Sequence, residues 1–131
     1  MLADPLKILL VEDDEDNREL MAEFLRLGGH AVEPVGDAAA ALDAAARGEF
    51  DAVVADVGLP GMDGLALARE LRRRTPRLAV VVVSGWGDGP EVTGARGHEV
   101  DAIVTKPADP SKLLAALAAA VRARRSALGQ P

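Results

Sequence analysis

Five short runs of strand-forming residues alternate with longer amphipathic stretches along this chain of 131 residues. The runs are Lys7–Glu12, Ala31–Val35, Asp51–Asp56, Leu78–Ser84 and Asp101–Thr105. A strand followed by a helix, repeated five times, implies a parallel sheet with helices on both faces. The four consecutive valines Val80–Val83 mark the fourth run as a central strand. The helices read as Asp16–Leu27, Ala38–Arg47, Leu65–Arg74 and Lys112 to about Arg125. Leu20, Phe24 and Leu27 stand at i, i+4, i+7 and form the inward stripe of the first, which Gly28-Gly29 ends. Asp37 reads as N-cap of the second and Gly48 as its stop. Leu67, Ala68 and Leu71 face inward on the third, and Leu113, Leu114, Leu117 and Val121 on the last, which Asp109 or Ser111 caps. The stretch Asp88–Glu99 is the weak element. It holds Pro90, Gly94 and Gly97, and each interior glycine costs roughly 1 kcal/mol relative to alanine. One domain is expected over 1–131, with a core of about 6–121 and a tail of 122–131.

Carboxylates close two of the strands. Glu12 and Asp13 follow Ile8-Leu9-Leu10-Val11, and Asp56 follows Ala52-Val53-Val54-Ala55. In a parallel sheet these ends open onto the ligand crevice. Like charges gathered there repel unless a cation joins them. Oxygen ligands suit a hard cation such as Mg2+. The pattern reads as an acidic metal pocket at the carboxyl edge of the sheet.

Composition narrows the class. The hydrophobic share is 49%, enough for a core, yet Phe24, Phe50 and Trp86 are the whole aromatic content. Leu, Val and Ala must therefore build the interior. A net charge of -6 speaks against a nucleic-acid surface. Without cysteine there is no disulfide framework or thiolate site, which fits a cytoplasmic location. Asp4 and Pro5 stand where a signal peptide needs an apolar stretch, and no run approaches the ~20 residues of a membrane span.

The series Val11-Glu12-Asp13-Asp14, Asp56, Leu59-Pro60-Gly61-Met62-Asp63-Gly64, Ser84-Gly85 and Lys106-Pro107 resembles the receiver domain of two-component response regulators. The resemblance runs from about Leu6 to Val121 and keeps five motifs in order and spacing. It implies a flavodoxin-like, doubly wound five-stranded sheet of order 2-1-3-4-5. It implies that Asp56 accepts a phosphoryl group from the phosphohistidine of a sensor histidine kinase or histidine phosphotransfer protein. Glu12, Asp13, Asp56 and the carbonyl of Gly58 would hold Mg2+, with Glu12 acting through water. Lys106 would neutralise phosphoryl charge, and Ser84 would donate a hydrogen bond to the product. Asp14 reads as a helix N-cap or a solvated charge. Asp63 and Gly64 shape the loop. His30 and His98 are surface or half-buried histidines, and Arg122, Arg124 and Arg125 complement a helix dipole. The family's Lys-Pro bond is cis, which is carried over to Lys106-Pro107.

Two departures qualify the resemblance. The family's Tyr or Phe three residues before the lysine is Ile103 here, so output by burial of a ring is not available. Order and disorder of Gly85–Glu99 is the substitute expected. The positions two after the acceptor and two after the serine, Gly58 and Trp86, offer no group to orient an attacking water. Slow autodephosphorylation is expected, and no enzymatic activity beyond self-phosphorylation and that slow loss. The output partner is not specified by the sequence; neither nucleic acid nor membrane is expected, and the chain should be a monomer or weak homodimer. The alternatives are an excised receiver of a hybrid histidine kinase and a degenerate receiver that binds partners without phosphorylation. A Mg2+-dependent phosphatase would need a cap domain and a second aspartate two residues after Asp56, where Gly58 stands.

Overall fold

The computed structural model describes residues 5–58, 64–85, 100–107 and 109–129. The elements run β1 (Lys7–Val11), α1 (Glu15–Leu27), β2 (Ala31–Val35), α2 (Ala38–Arg47), β3 (Ala52–Asp56), α3 (Gly64–Arg74), β4 (Ala79–Ser84), β5 (Ala102–Thr105) and α4 (Pro110–Ala127). All strand pairs are parallel, and the sheet order is β2-β1-β3-β4-β5. This is the expected flavodoxin-like order. The expected helix of Asp88–Glu99, the loop Leu59–Asp63, Trp86 and His98 lie outside the described residues.

The period-2 alternation of side chains divides the interior into two layers. Leu9, Val11, Val53, Ala55, Val80 and Val82 face Ala38, Ala41 and Ala44 of α2 and Leu67, Ala68 and Leu71 of α3. Ile8, Leu10, Val54, Val81, Val83 and Val104 face Ala22 and Leu25 of α1 and Leu113, Leu117, Ala120 and Val121 of α4. β3 and β4 are buried at every position. Both strands are covered on two sides, which is why they are uniformly apolar up to Asp56 and Ser84.

The helix ends follow the caps. Asp14 and Asp37 accept the backbone N–H of Asn17 and Ala40, at 2.9 and 2.7 Å. Asp109 caps α4 by accepting from Ser111 N, so Asp109 and not Ser111 is the cap. The start of β5 is fixed by a half-buried pair. Arg72 of α3 donates to the Asp101 carboxylate and, through Nε, to the carbonyl of Leu78 at 3.2 Å. Asp101 Oδ2 also accepts the Val80 N–H at 2.8 Å.

The inward face of α1 differs from the one expected. Ala22 and Leu25 are buried and Met21 is half-buried, whereas Leu20 is 49% exposed and Leu27 78% exposed. Both stripes satisfy helical spacing. The small Ala22 lets the helix lie close to the sheet, which a stripe of three large side chains would hold away. Leu20 and Phe24 instead border a cleft of about 550 Å³ that reaches Glu12, Lys106 and Pro107.

His30 is buried, not at the surface. Its Nδ1 accepts the Leu6 N–H at 3.0 Å, so the neutral ring carries its proton on Nε2. Burial depresses its pKa below the ordinary 6.5. The unfolded chain then binds the proton more readily, and this contribution to stability is complete above pH 6.5 and lost as pH falls below it. His30→Asn, whose Oδ1 stands where Nδ1 stands, keeps the acceptor without the titration. Its urea midpoint should fall less than that of wild type between pH 6.5 and 5.

Candidate functional site

Three strand ends converge at the carboxyl edge of the sheet. β3 delivers Asp56, β4 delivers Ser84, and β5 runs into Lys106. Registers set their heights. Asp56 pairs with Val83, and Ser84 pairs with Thr105. The Lys106 N–H donates to the Ser84 carbonyl at 2.8 Å, continuing the ladder one step beyond β5. β1 ends one residue before Glu12, whose N–H donates to the Val35 carbonyl at 3.1 Å. The bond between Lys106 and Pro107 is cis, as the resemblance implied.

Glu12, Asp56 and Ser84 are buried, and Asp13 is exposed. Lys106 Nζ donates to Asp56 Oδ2 at 2.6 Å, and the Gly58 N–H donates to Oδ1 at 2.9 Å. Burial by itself raises the Asp56 carboxyl. The hydrogen bonds from Lys106, from Gly58 N–H and from Glu12, together with the Lys106 charge, outweigh it and hold the group below the usual carboxylate range. Glu12 is pushed the other way, to about 7, by burial first and then by its hydrogen bond to Asp56 and the Asp56 charge. The Lys106 charge and the Asn17 side chain, whose Nδ2 lies 3.5 Å from Glu12 Oε1, only partly oppose this. Below about pH 7 the pair therefore holds one proton, on Glu12, and Asp56 is the anion.

One oxygen from each of Glu12, Asp13 and Asp56 falls within 4.8 Å of the other two. Such an all-oxygen, strongly anionic set fits a hard divalent cation, whose charge would offset the burial and the Asp56 charge that raise the Glu12 carboxyl.

Most of the expected site residues meet here: Glu12, Asp13, Asp56, Gly58, Ser84 and Lys106. Asp63, assigned only a loop-shaping part, lies outside the described residues. Two features were missed. Gly64 opens α3 against the Asp56–Val57 peptide. A Cβ at Gly64 would stand 2.3 Å from the Asp56 carbonyl oxygen and 2.9 Å from Val57 Cα. Arg18 reaches back from α1 to the Glu12 carbonyl at 2.9 Å. Nothing in the sequence separates it from a solvated helix arginine. Ile103 is half-buried and packs on the α2/α3 side of the sheet.

Residues 8–118 match the response regulator receiver domain family, and the chain belongs to that family. It is thus a receiver domain of the two-component class. It is 39% identical to the response regulator protein FleR of Pseudomonas aeruginosa, over 95% of this chain and 25% of FleR. It is 34% identical to the transcriptional regulatory protein FixJ of Azorhizobium caulinodans, over 92% of this chain and 57% of FixJ. Among solved structures it resembles NtrX from Brucella abortus (TM-score 0.87, 30% identity, 95% of this chain and 29% of that one). It also resembles a sensor protein from Polaromonas sp. JS666 (TM-score 0.80, 35% identity, 93% and 99%). The chain spans a quarter to somewhat over half of these curated relatives. The expected absence of nucleic acid gains no support from them, since FixJ is named a transcriptional regulator. The acidic charge describes the surface of this chain and not what the rest of a longer regulator binds. Among the described residues no helix is long and apolar enough to cross a membrane.

Gly64→Ala tests the close approach at Asp56. Chemical denaturation should show a loss of about 1–3 kcal/mol, the usual cost of overpacking. The Asp56 side-chain carboxyl resonance should shift with it.

Proposed function

We propose that this chain is a phosphoryl acceptor, with Asp56 taking the group from a phosphohistidine. The observation that carries the reading is a buried Asp56 kept anionic by Lys106 at 2.6 Å, with ligand atoms of Glu12 and Asp13 within 4.8 Å. The Asp56 carboxylate forms an O–P bond as the P–N bond of the donor breaks. The electron pair returns to the imidazole, which takes a proton from solvent. Lys106 offers its charge to the transferred oxygens, and the Ser84 hydroxyl donates to one of them once the acyl phosphate has formed. Glu12, Asp13, Asp56 and the Gly58 carbonyl would hold Mg2+, which when bound supplies the positive charge that attack on a phosphate anion requires. The cleft bordered by Leu20, Met21, Phe24 and Pro107 gives a partner bearing the phosphohistidine an apolar shelf beside the acceptor. The donor would be a sensor histidine kinase or phosphotransfer protein. Output passes to another protein or to segments of a longer regulator, as the lengths of the relatives suggest.

Intact mass after incubation with acetyl phosphate tests the chemistry. One added phosphoryl group should appear with Mg2+, and none in EDTA or in Asp56→Ala. An adduct that survives Asp56→Ala would place the acceptor elsewhere.

Metal binding should depend on pH. With Glu12 near 7, Mg2+ competes with a proton below neutrality. Apparent affinity should level off above about pH 8 and fall by up to roughly tenfold per pH unit below 7. In Glu12→Gln that dependence between pH 7 and 5.5 should flatten, as read by titration calorimetry.

A further inference from the structure

Glu12 and Asp13 flank a single peptide bond, and that peptide is held from one side. Arg18 Nη1 donates to the Glu12 carbonyl at 2.9 Å, while the Glu12 N–H donates to the Val35 carbonyl at 3.1 Å. The two bonds act on successive planar peptides. The plane between the acids therefore cannot turn without breaking the arginine's bond. A net change in ψ at Glu12 or φ at Asp13 would reorient one carboxylate relative to the other. The guanidinium lies against the turn after β2. A Cβ at Gly36 would stand 3.1 Å from Arg18 Nη1 and 3.8 Å from Cζ. Gly36 is thus the place where an added methyl group meets this one side chain.

We propose that Arg18 is a positioning residue for the Mg2+ site. Packed against Gly36, it fixes the peptide between Glu12 and Asp13 and so the mutual orientation of their carboxylates. The inference rests on the metal reading given under Proposed function.

The sign of its effect separates this role from a general electrostatic one. Arg18 is a cation beside a cation site, so by charge alone its removal strengthens Mg2+ binding. As a brace, its removal weakens binding, because groups that orient metal ligands are typically worth 10–100-fold in affinity.

The test is Mg2+ titration calorimetry on the full chain for wild type, Arg18→Met, Gly36→Ala and the double variant, with melting in EDTA as a control for folding. Arg18→Met should bind about tenfold more weakly. Gly36→Ala should also weaken binding, and the double variant should bind no more weakly than Arg18→Met, since the methyl group then has nothing to displace. Binding by Arg18→Met as tight as wild type or tighter overturns the brace. So does a Gly36→Ala effect that persists in full without Arg18. Should Arg18→Met fail to fold, a folded Gly36→Ala with unchanged affinity overturns it as well. Absence of Mg2+ binding in wild type removes the metal reading and the brace with it, an outcome distinct from variants that bind as wild type does.

Discussion

Two buried carboxyl groups, Glu12 and Asp56, face one lysine. The rest of the site follows from how that imbalance is handled. Lys106 and the Gly58 N–H stabilise Asp56 as an anion, and Glu12 keeps its proton to near neutrality. A packed interior does not gather acids for stability. Burial of an ionised carboxylate is costly unless it is paired, and here the pairing is incomplete. The sheet accepts that cost at its carboxyl edge, where the strands stop contributing apolar side chains. The apolar layers below, from Ile8 to Val83, are buried almost completely and hold the strand ends at fixed heights.

That division explains what could be read from the sequence. β1, β3 and β4 were legible because burial on two faces demands unbroken apolar runs, and the ends of β1 and β3 because a carboxylate terminates each run. The caps Asp14, Asp37 and Asp109 were legible because a short acceptor side chain just before a helix has a specific use. The order of the strands was not visible in any run and came from the family resemblance. The face of α1 was misread because counting at helical spacing favoured the large Leu20, Phe24 and Leu27. Proximity to the sheet favours Ala22. His30 looked like a surface or half-buried residue because its hydrogen-bond donor, the Leu6 N–H, lies 24 positions away. Arg18 was invisible as a functional candidate for a similar reason: its partner is a backbone carbonyl, and every residue carries one.

Gly64 shows the limit of motif reading from the other side. Its place in the motif pointed to loop geometry. Its contact with the Asp56 carbonyl is steric, and depends on how closely the first turn of α3 approaches β3. A glycine required by close approach and one required by a positive φ look alike in sequence.

The substitution of Ile103 for an aromatic residue bears on how a signal would leave the site. Ile103 pairs with Val82, two positions below the Ser84–Thr105 pair, and is half-buried on the α2/α3 side of the sheet. A branched aliphatic side chain packed there gains by dispersion and has no polar tip to present to solvent when it turns. A large rotation between buried and exposed states is therefore not its natural response. The backbone offers a different route. Lys106 N–H is bonded to the Ser84 carbonyl, so the two groups proposed to contact the phosphoryl share one ladder step. A displacement of Ser84 toward a phosphoryl oxygen must pull on the start of the segment that carries Lys106 and Pro107. Pro107 borders the cleft with Leu20 and Phe24. If Asp56 takes a phosphoryl group as proposed, the first surface to feel it is the apolar shelf beside it, and Ile103 resists the change more than it reports it.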